Sequence, residues 1–392
     1  MVKENSRERL EQFLLLLITR RNTEIIRSVP IRVFLWSLAR LSSLYKAVVQ
    51  FRLFLYQNGI LRHQTLGCQV ISVGNLTVGG TGKTPVVEVF ARELQKAGRK
   101  VAILSRGYRK KEAPFLIRLL DTVTLRERMR PPRVVSDGRN LLLDSAMSGD
   151  EPYMLASNLK DVVVLVDKNR VKSGRYAINK FGCDTLILDD GFQYLALKHR
   201  VEIALVDRTN PFGNGKVLPR GVLREPVKNI RRADFIFITK CDGSGTDELK
   251  SKLKTLNQRA EIIECRHSPR YLRNVFSSEE KDLEFLRGLK VVVVSGIAVP
   301  SSFEGQIEKM GARILDRNRF VDHHRYTQQE IIDIVNKSVL LGADAVLTTE
   351  KDAVRFPRLE RWDVPVYYLR VDIEILSGAE DFHTCISRIC FR

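Results

Sequence analysis

Apolar residues recur with the period of a helix through residues 31–56, near the start of the chain. This spacing predicts an amphipathic helix, and the charges that interrupt it, Arg40, Lys46 and Arg52, are all positive. Two interpretations fit the pattern equally well: a helix at a membrane surface, or a helix docked on the protein's own core. A further helix is predicted over residues 7–24. The apolar positions of the stripe are Phe34, Leu38, Leu41, Tyr45, Val48, Phe51 and Leu55.

From Cys68 the pattern changes to short β-rich runs that alternate with helical segments. Strands that alternate with helices predict a parallel sheet with helices on both faces. Residues 109–139 are basic and irregular, and we interpret them as an exposed insertion. The predicted strands are residues 70–73, 101–104, 162–166, 185–188, 203–206 and 235–238, and a helix is predicted over residues 86–96.

A polar, weakly periodic stretch at residues 240–286 predicts a domain junction, and a second α/β pattern follows it. In that second pattern, strands are predicted at 291–295, 345–348 and 366–369, and helices at 302–310 and 328–339. The sequence therefore predicts N-terminal amphipathic helices in residues 1–60, a larger α/β domain in 61–260 and a smaller α/β domain in 261–392.

The composition is that of a folded protein, with 44% apolar and 28% charged residues. A formal net charge of +19 is unusual and is compatible with nucleic acid, an anionic membrane or an acidic substrate as a partner. Part of the excess is concentrated, because residues 25–87 contain no Asp or Glu. No run approaches the ~20 apolar residues of a membrane-spanning helix. The six cysteines form no C-x-x-C pair, which favours reduced thiols over a zinc site.

A glycine-rich turn connects the first predicted strand of the larger domain to the helix at 86–96. Its context of strand, turn and helix is typical of a phosphate-binding loop, whose backbone N–H groups surround phosphate oxygens. Lys83 then contacts the β and γ phosphates of ATP, and the Thr84 hydroxyl binds Mg²⁺. The general pattern begins with glycine, whereas Thr77 stands at that position here. The loop comprises Thr77, Val78, Gly79, Gly80, Thr81, Gly82, Lys83 and Thr84.

Two acidic positions are candidates for chemistry. Asp189 and Asp190 end a hydrophobic strand, where a carboxylate that meets Mg²⁺ is expected; the alternative is that they only cap a turn. Asp150, in the segment Gly-Asp-Glu-Pro, is either a catalytic acid or the N-cap of a helix. Asp322 and His323 lie in the second α/β pattern, and a pair of this kind can accept a hydroxyl proton.

Two segments that follow predicted strands carry arginine side chains suited to phosphate. The first contains Arg106 and Tyr108, and the second contains Arg220 and Arg224. In open α/β sheets, ligands bind beyond the carboxyl ends of the strands.

Together these segments resemble one family, the tetraacyldisaccharide 4'-kinases of lipid A biosynthesis. The resemblance extends in order from about residue 68 to 356, and it accounts for the threonine at position 77. The segments that carry it are residues 74–85, 105–108, 149–152, 189–193, 213–219, 223–226, 322–324 and 349–353. Two features depart from the family pattern: Tyr194 stands where the family has His, and the basic stretch 109–139 is longer.

The resemblance implies transfer of the γ-phosphoryl group of ATP to the 4'-hydroxyl of a tetraacyldisaccharide 1-phosphate, which gives lipid IVA. It implies a P-loop kinase core with a second, smaller α/β domain and an N-terminal amphipathic helix attached to the membrane. Asp150 is the implied general base, His323 adjusts it, and Lys83 assists transfer. The implied magnesium site is Thr84, Asp189, Asp190, Gln193 and Glu225. The implied substrate contacts are Asn75, Arg106, Tyr108 and Arg224.

The family further implies a peripheral location at the cytoplasmic face of the bacterial inner membrane, or at an organellar membrane in a eukaryote. The predicted partners are the membrane-embedded acylated disaccharide and the anionic membrane surface. One alternative is a P-loop kinase or ATPase that acts on another substrate. A basic nucleic-acid-binding protein is another alternative, but no nucleic-acid-binding motif is present and no nucleic acid partner is expected.

Overall fold

The computed structural model describes residues 29–107, 130–277, 279–357 and 362–390. The predicted helix at 7–24 and Tyr108 lie outside these residues. The helices are α1 Val29–Gln57, α2 Lys83–Lys96, α3 Ser145–Ser148, α4 Asp150–Asn158, α5 Arg170–Phe181, α6 Asp247–Leu256, α7 Pro300–Lys309, α8 Gln328–Leu340, α9 Glu350–Ala353 and α10 Ala379–Cys390.

The strands confirm the predicted α/β class. They are β1 Gln69–Asn75, β2 Val101–Ser105, β3 Arg133–Asp137, β4 Val163–Val166, β5 Thr185–Asp189, β6 Val201–Asp207, β7 Phe235–Thr239, β8 Glu261–Asn274, β9 Glu280–Lys281, β10 Lys290–Ser295, β11 Arg313–Arg319, β12 Ala345–Thr349 and β13 Val366–Ser377.

The chain forms two compact units, each made of discontinuous segments. The first unit contains residues 1–83, 185–266 and 375–392, and the second contains residues 84–184 and 267–374. These units divide the chain by packing, and the predicted functional domains at 1–60, 61–260 and 261–392 stay a prediction.

The first unit is built on a parallel sheet with the strand order β8-β7-β6-β1-β5. The central strand β1 is buried along nearly its whole length, as is typical of a parallel strand covered on both faces. Apolar residues of β6, β7, α6 and the segment 212–230 form one hydrophobic core cluster beside this sheet.

The second unit contains two groups of strands. In one, β2 pairs with β4 in parallel and β3 pairs with β4 antiparallel. In the other, the order is β11-β10-β12-β13, and these pairs are parallel. Two apolar clusters, one around Val293 and one around Val294, form because successive residues of β10 point to opposite faces.

Four strands show where the structure departs from the sequence prediction. Residues 133–137 form the strand β3, so the interpretation of 109–139 as irregular throughout was wrong for that segment. Both β8 and β13 are much longer than the short runs that predict them, residues 260–264 for β8 and 366–369 for β13. The strand β11 was missed, because five of its seven residues are charged or polar.

Helix α1 confirms the predicted amphipathic helix, and its buried residues confirm that it docks on the protein, while the membrane-surface interpretation stays a prediction. Leu35, Ser42 and Leu53 are buried on one side, so the helix docks on the protein. The stripe predicted from the spacing is largely exposed, including Phe34, Leu41, Val48 and Phe51. Among the described residues, no helix is both long enough and apolar enough to cross a bilayer.

Candidate active site

The phosphate loop connects the end of β1 to the start of α2, and the side chain of Asn75 supports it through a hydrogen bond. This side chain is fully buried, and its Nδ2 donates to Thr81 Oγ1 over 3.0 Å. The Thr81 carbonyl accepts from the Thr239 hydroxyl over 2.9 Å. Gly79 and Gly82 have φ angles of 113° and 77°, a backbone region that suits glycine. Asn75 therefore shapes the loop, and the substrate contact that the family resemblance implies for it stays a prediction.

Thr77, which replaces the first glycine of the general pattern, joins the loop to a neighbouring segment. It is buried and forms an antiparallel bridge with Leu223. The next residue repeats the link, because the N–H of Val78 donates to the carbonyl of Val222 over 2.8 Å. Threonine is β-branched and favours the extended backbone of a β-bridge more than glycine does, so it is suited to this position.

Asp189 and Asp190 end β5, as predicted, and lie beside β1. The approach is close: a Cβ on Gly74 would lie 2.7 Å from Phe192 Cβ, and one on Gly191 would lie 2.7 Å from Ser72 Oγ. Both positions therefore require glycine. Asp190 has a φ angle of 58°, which is uncommon for a residue with a side chain and is typical of functional positions.

Asp190 lies between two cations, and we call Lys83, Asp190, Gln193, Arg224 and Glu225 the Asp190 cluster. Lys83 Nζ is 3.4 Å from Asp190 Oδ1, and Arg224 Nη1 donates to Asp190 Oδ2 over 2.6 Å. Burial raises the pKa of the Asp190 carboxyl, but the charges of Lys83 and Arg224 outweigh it and leave the pKa below its ordinary value. Asp190 is therefore ionised and compensates the cations that a nucleotide phosphate would meet.

Glu225 is buried, and hydrogen bonds occupy both of its oxygens. Oε1 accepts from Gln193 Nε2 over 2.9 Å and from Arg232 Nη2 over 3.0 Å. Oε2 accepts from Asn229 Nδ2 over 2.8 Å and from Arg232 Nη1 over 2.7 Å. The structure thus brings the predicted ligands Gln193 and Glu225 together, but it uses them to fix Arg232 and the loop after Arg224.

The donor set fits a magnesium ion that is held mainly by phosphate oxygens. Mg²⁺ in nucleotide sites takes one or two carboxylates and keeps most of its other ligands from phosphate and water. In the part of the chain that the structure describes, no three His, Cys, Asp or Glu side chains gather as a complete metal site. Thr84, in the first turn of α2, and the pair Asp189 and Asp190 supply oxygen donors of the required type.

Asp150 is the first residue of α4, and its carboxylate is buried. The N-cap position belongs to Gly149, so the alternative that Asp150 caps the helix was wrong. His323 Nδ1 lies 2.9 Å from Asp150 Oδ2, and Arg355 Nε donates to the same oxygen over 2.8 Å. The remaining oxygen, Oδ1, accepts no hydrogen bond from the described residues, and its neighbouring cation is Arg325 at 3.5 Å.

His323 adopts a φ angle of 66° and is approached from its other side by Lys351. Lys351 Nζ lies 3.1 Å from His323 Nε2. A lysine ammonium only donates, so Nε2 accepts and Nδ1 carries the hydrogen that it donates to Asp150. We call Asp150, His323, Arg325, Lys351 and Arg355 the Asp150 cluster.

Charge determines the state of Asp150. Burial raises the pKa of its carboxyl, but the hydrogen bond from His323 and the charge of Arg355 outweigh burial, so the pKa lies below its ordinary value. Arg355 is fully buried and also donates to Asp352 Oδ1 over 3.1 Å. The Asp150 carboxylate is therefore ionised at neutral pH, with one oxygen available to a proton donor.

Other predicted residues lie apart from these clusters within their own units. Arg106 is exposed just after β2. His324 Nε2 lies 3.1 Å from both Glu330 oxygens, so this histidine supports the start of α8.

Sequence reasoning missed six residues that lie in the Asp150 cluster or contact the Asp190 cluster and the phosphate loop: Asp207, Arg232, Lys240, Arg325, Lys351 and Arg355. Lys240 follows β7 and donates to the carbonyl of Gly80 over 3.0 Å and to Asp207 over 2.5 Å. Lys240 could have been identified from the sequence, because it follows a predicted strand at the edge where ligands bind. Lys351 lies in the segment 349–353 that carried the family resemblance, and Arg355 follows it by four residues.

The chain is similar to known proteins over most of its length. The "Tetraacyldisaccharide 4'-kinase" of Halothermothrix orenii is 36% identical over 401 aligned positions, which cover 98% of this chain and 99% of that protein. The protein of the same name from Anaeromyxobacter dehalogenans is 39% identical over 345 positions, which cover 86% of this chain and 85% of that one.

A solved structure shares the fold. The crystal structure of LpxK from Aquifex aeolicus in complex with ATP has a TM-score of 0.71 and 29% sequence identity, and it covers 91% of this chain and all of its own. The family model of the tetraacyldisaccharide-1-P 4'-kinases matches residues 34–390. The chain is therefore a member of the tetraacyldisaccharide-1-P 4'-kinase family.

Proposed function

We propose that this protein transfers the γ-phosphoryl group of ATP to the 4'-hydroxyl of a tetraacyldisaccharide 1-phosphate, with lipid IVA as the product. Family membership supports the substrate, and the phosphate loop with Lys83 supports the nucleotide. One observation carries the chemistry: the buried Asp150 carboxylate is ionised and keeps one oxygen without a hydrogen bond from any residue that the structure describes. That is what a general base for a sugar hydroxyl needs.

The phosphate loop and the Asp190 cluster act on the nucleotide. Loop N–H groups and the N-terminus of α2 bind phosphate oxygens, and Lys83 neutralises charge on the transferring group. When a phosphate enters, its negative charge competes with the Asp190 carboxylate for the cations Lys83 and Arg224. Arg224 is thereby available to substrate or to the transferring phosphoryl group.

Thr84, Asp189 and Asp190 are the residues that we propose to hold Mg²⁺. When bound, the ion compensates the negative charge of the phosphates. Gln193 and Glu225 contribute by keeping Arg232 and the backbone after Arg224 in place. This division follows from the hydrogen bonds that already saturate the Glu225 carboxylate.

The Asp150 cluster acts on the acceptor hydroxyl. As the sugar oxygen bonds to the γ-phosphorus, the bond from phosphorus to the bridging oxygen of ADP breaks, and Asp150 Oδ1 takes the hydroxyl proton. His323 holds the other carboxylate oxygen through Nδ1, with its tautomer fixed by Lys351. Positioning of this kind favours reaction because the base needs no reorientation. Arg106 and Tyr108 remain predicted contacts of the disaccharide phosphate.

We propose that α1 attaches the protein peripherally to an anionic membrane, at the cytoplasmic face where ATP is present. The side chains of Trp36, Leu44 and Phe51 are 60%, 64% and 61% exposed. Helix α1 contains no acidic residue, and its cations include Arg40 and Arg52. Exposed aromatic and aliphatic side chains among cations are typical of an interfacial helix.

A transfer assay with labelled ATP and the tetraacyldisaccharide 1-phosphate in mixed micelles tests the function. We expect label in the lipid at the 4'-position. Label in a soluble sugar phosphate but not in the lipid would replace this function with that of a P-loop kinase of another substrate. Release of phosphate without any acceptor would indicate an ATPase.

Vesicle flotation tests the membrane proposal separately. The triple substitution Trp36→Ser, Leu44→Ser and Phe51→Ser removes exposed apolar area from α1, and we expect it to lower binding to anionic vesicles by about tenfold or more. Equal binding by this variant and the unmodified protein would refute α1 as the attachment surface.

A further inference from the structure

The buried side of α1 makes two hydrogen bonds to a segment far away in sequence. Ser42 Oγ donates to the carbonyl of Val217 over 2.8 Å, and the Tyr45 hydroxyl donates to the carbonyl of Arg224 over 3.0 Å. The Tyr45 ring packs against the hydrophobic cluster of the first unit. Burial raises the pKa of Tyr45, and the charge of Glu225 adds to this effect. The hydroxyl therefore stays protonated and able to donate.

The segment that α1 contacts is itself attached to the phosphate loop. The N–H of Arg224 donates to the carbonyl of Leu76 over 2.7 Å, and Val78 donates to Val222 over 2.8 Å. The Arg224 side chain donates to Asp190 Oδ2 over 2.6 Å. Arg224 is thus fixed at three points: Tyr45 on its carbonyl, Leu76 on its amide and Asp190 on its guanidinium.

We propose that Tyr45 is a positioning residue for phosphoryl transfer, which acts by holding the backbone of Arg224 beside the phosphate loop. Tyr45 belongs to the predicted apolar stripe but is half-buried against the protein, whereas Trp36, Leu44 and Phe51 are exposed, so α1 has two separate tasks. Its outer face contacts the lipid surface, and its inner face completes the support of the nucleotide site. The inference deepens the proposed function, because its kinetic readout is the proposed lipid phosphorylation.

The geometry explains why a hydroxyl is needed at this place. Residues 222–224 pair with the phosphate loop on one side and with residues 216–218 on the other, and the Arg224 carbonyl takes its hydrogen bond from Tyr45. Without a donor, the buried carbonyl of Arg224 would lose its partner, and a lost hydrogen bond of this kind weakens the fixed geometry. The guanidinium lies at the end of a long side chain, so a small backbone shift displaces it from the transferring group.

The variant Tyr45→Phe removes the hydroxyl and keeps the ring that packs on the core. We expect kcat in mixed micelles to fall about three- to tenfold, the size of one hydrogen bond, with vesicle binding unchanged. Tyr56→Phe is the matched control on the same helix, because the contacts described for Tyr56 are ring contacts with His63 and Arg52. We expect this control to retain full activity.

A double-mutant cycle separates positioning from a general loss of stability. If Tyr45 acts through Arg224, Tyr45→Phe lowers kcat in the unmodified background and has no further effect in an Arg224→Met background. Additive losses, or a lower melting temperature with unchanged kcat, would overturn the proposal. Failure of the unmodified protein to phosphorylate the lipid would instead refute the proposed function, so the two failures are distinguishable.

Discussion

Each compact unit holds one of the two candidate carboxylates, Asp190 in the first unit and Asp150 in the second. Both lie among cations, but they are arranged differently. Asp190 is about one-third exposed and pairs with Lys83 and Arg224, cations that phosphate also attracts. Asp150 is buried, and its partners include an imidazole as well as Arg355. The Asp190 cluster is thus suited to exchange one anion for another, whereas the Asp150 cluster is suited to hold one carboxylate still while it takes a proton.

The two clusters share a strained backbone at a key residue. Asp190 and His323 both have positive φ angles, 58° and 66°, although neither is glycine. Such residues persist only where surrounding contacts hold them. At Asp190 the contacts are the glycine-lined approach to β1, and at His323 they include Asp150 and Lys351 on two other elements. These contacts hold each of the two side chains in one direction.

Removing Lys83 from the Asp190 cluster should have the largest effect on ATP binding and transfer taken together. In Lys83→Met we expect both weaker ATP binding and a fall in kcat of about 10²- to 10³-fold, because charge on the phosphates loses its partner. Lys96→Met, at the exposed end of the same helix, is the control and should behave as the unmodified protein. Equilibrium binding of a non-hydrolysable ATP analogue, measured beside transfer, checks both effects. Tight ATP binding in Lys83→Met would contradict the proposal that the Asp190 cluster acts on the nucleotide and the Asp150 cluster acts on the acceptor.

Removing the imidazole of the Asp150 cluster should slow transfer without weakening ATP binding. In His323→Ala we expect kcat to fall about 10²-fold, near the low end of the range for acid–base groups. The neighbouring His324→Ala is a matched control, because His324 contacts Glu330 instead of Asp150. Equal rates in the two variants, measured at saturating ATP, would exclude His323 from the mechanism.

The smallest effect on rate should come from the buried arginine, and it should depend on pH. Arg355 lowers the pKa of Asp150, so the carboxylate stays ionised well into the acid range. In Arg355→Met that pKa rises, and the acid limb of the kcat profile moves to higher pH while the rate above pH 7 changes little. An acid limb that stays in place or moves to lower pH would contradict this assignment.

Arg355→Met also tests how far the cluster contributes to folding. It leaves Asp150 and Asp352 buried without their shared cation, and breaking a buried ion pair costs about 3–5 kcal/mol of unfolding free energy. Arg317→Met removes a half-exposed cation that pairs with Glu304 and should cost about 1 kcal/mol or less. Denaturant unfolding of both variants measures the difference.

The sequence was sufficient for Lys83 and Asp190 because local pattern and sheet geometry specify them. A strand, a glycine-rich turn and a helix identify Lys83, and the carboxyl ends of parallel strands such as β1 and β5 meet at one edge. Asp190 could therefore be placed near Lys83 although the two are far apart in sequence.

The Asp150 cluster could not be predicted from local pattern. Asp150 and His323 are 173 residues apart, and Asp150 and Arg355 are 205 apart. Family resemblance supplied the first pair, but nothing in the spacing indicated that Arg355 would be buried beside an acid. The same limit explains the missed strand β11, since its charged residues carry no apolar signal and its partner β10 alone determines its place.

The most direct test of the central claim is Asp150→Asn, measured for transfer and for ATP binding in the same preparation. The substitution keeps the size of the side chain and removes its basicity. Asp161→Asn, at an exposed turn with a positive φ angle, is the control. We predict that label incorporated at the 4'-position falls by about 10²- to 10⁴-fold, while ATP affinity stays within about twofold. Transfer at the unmodified rate in Asp150→Asn, or loss of ATP binding together with transfer, would contradict the separation of the two clusters.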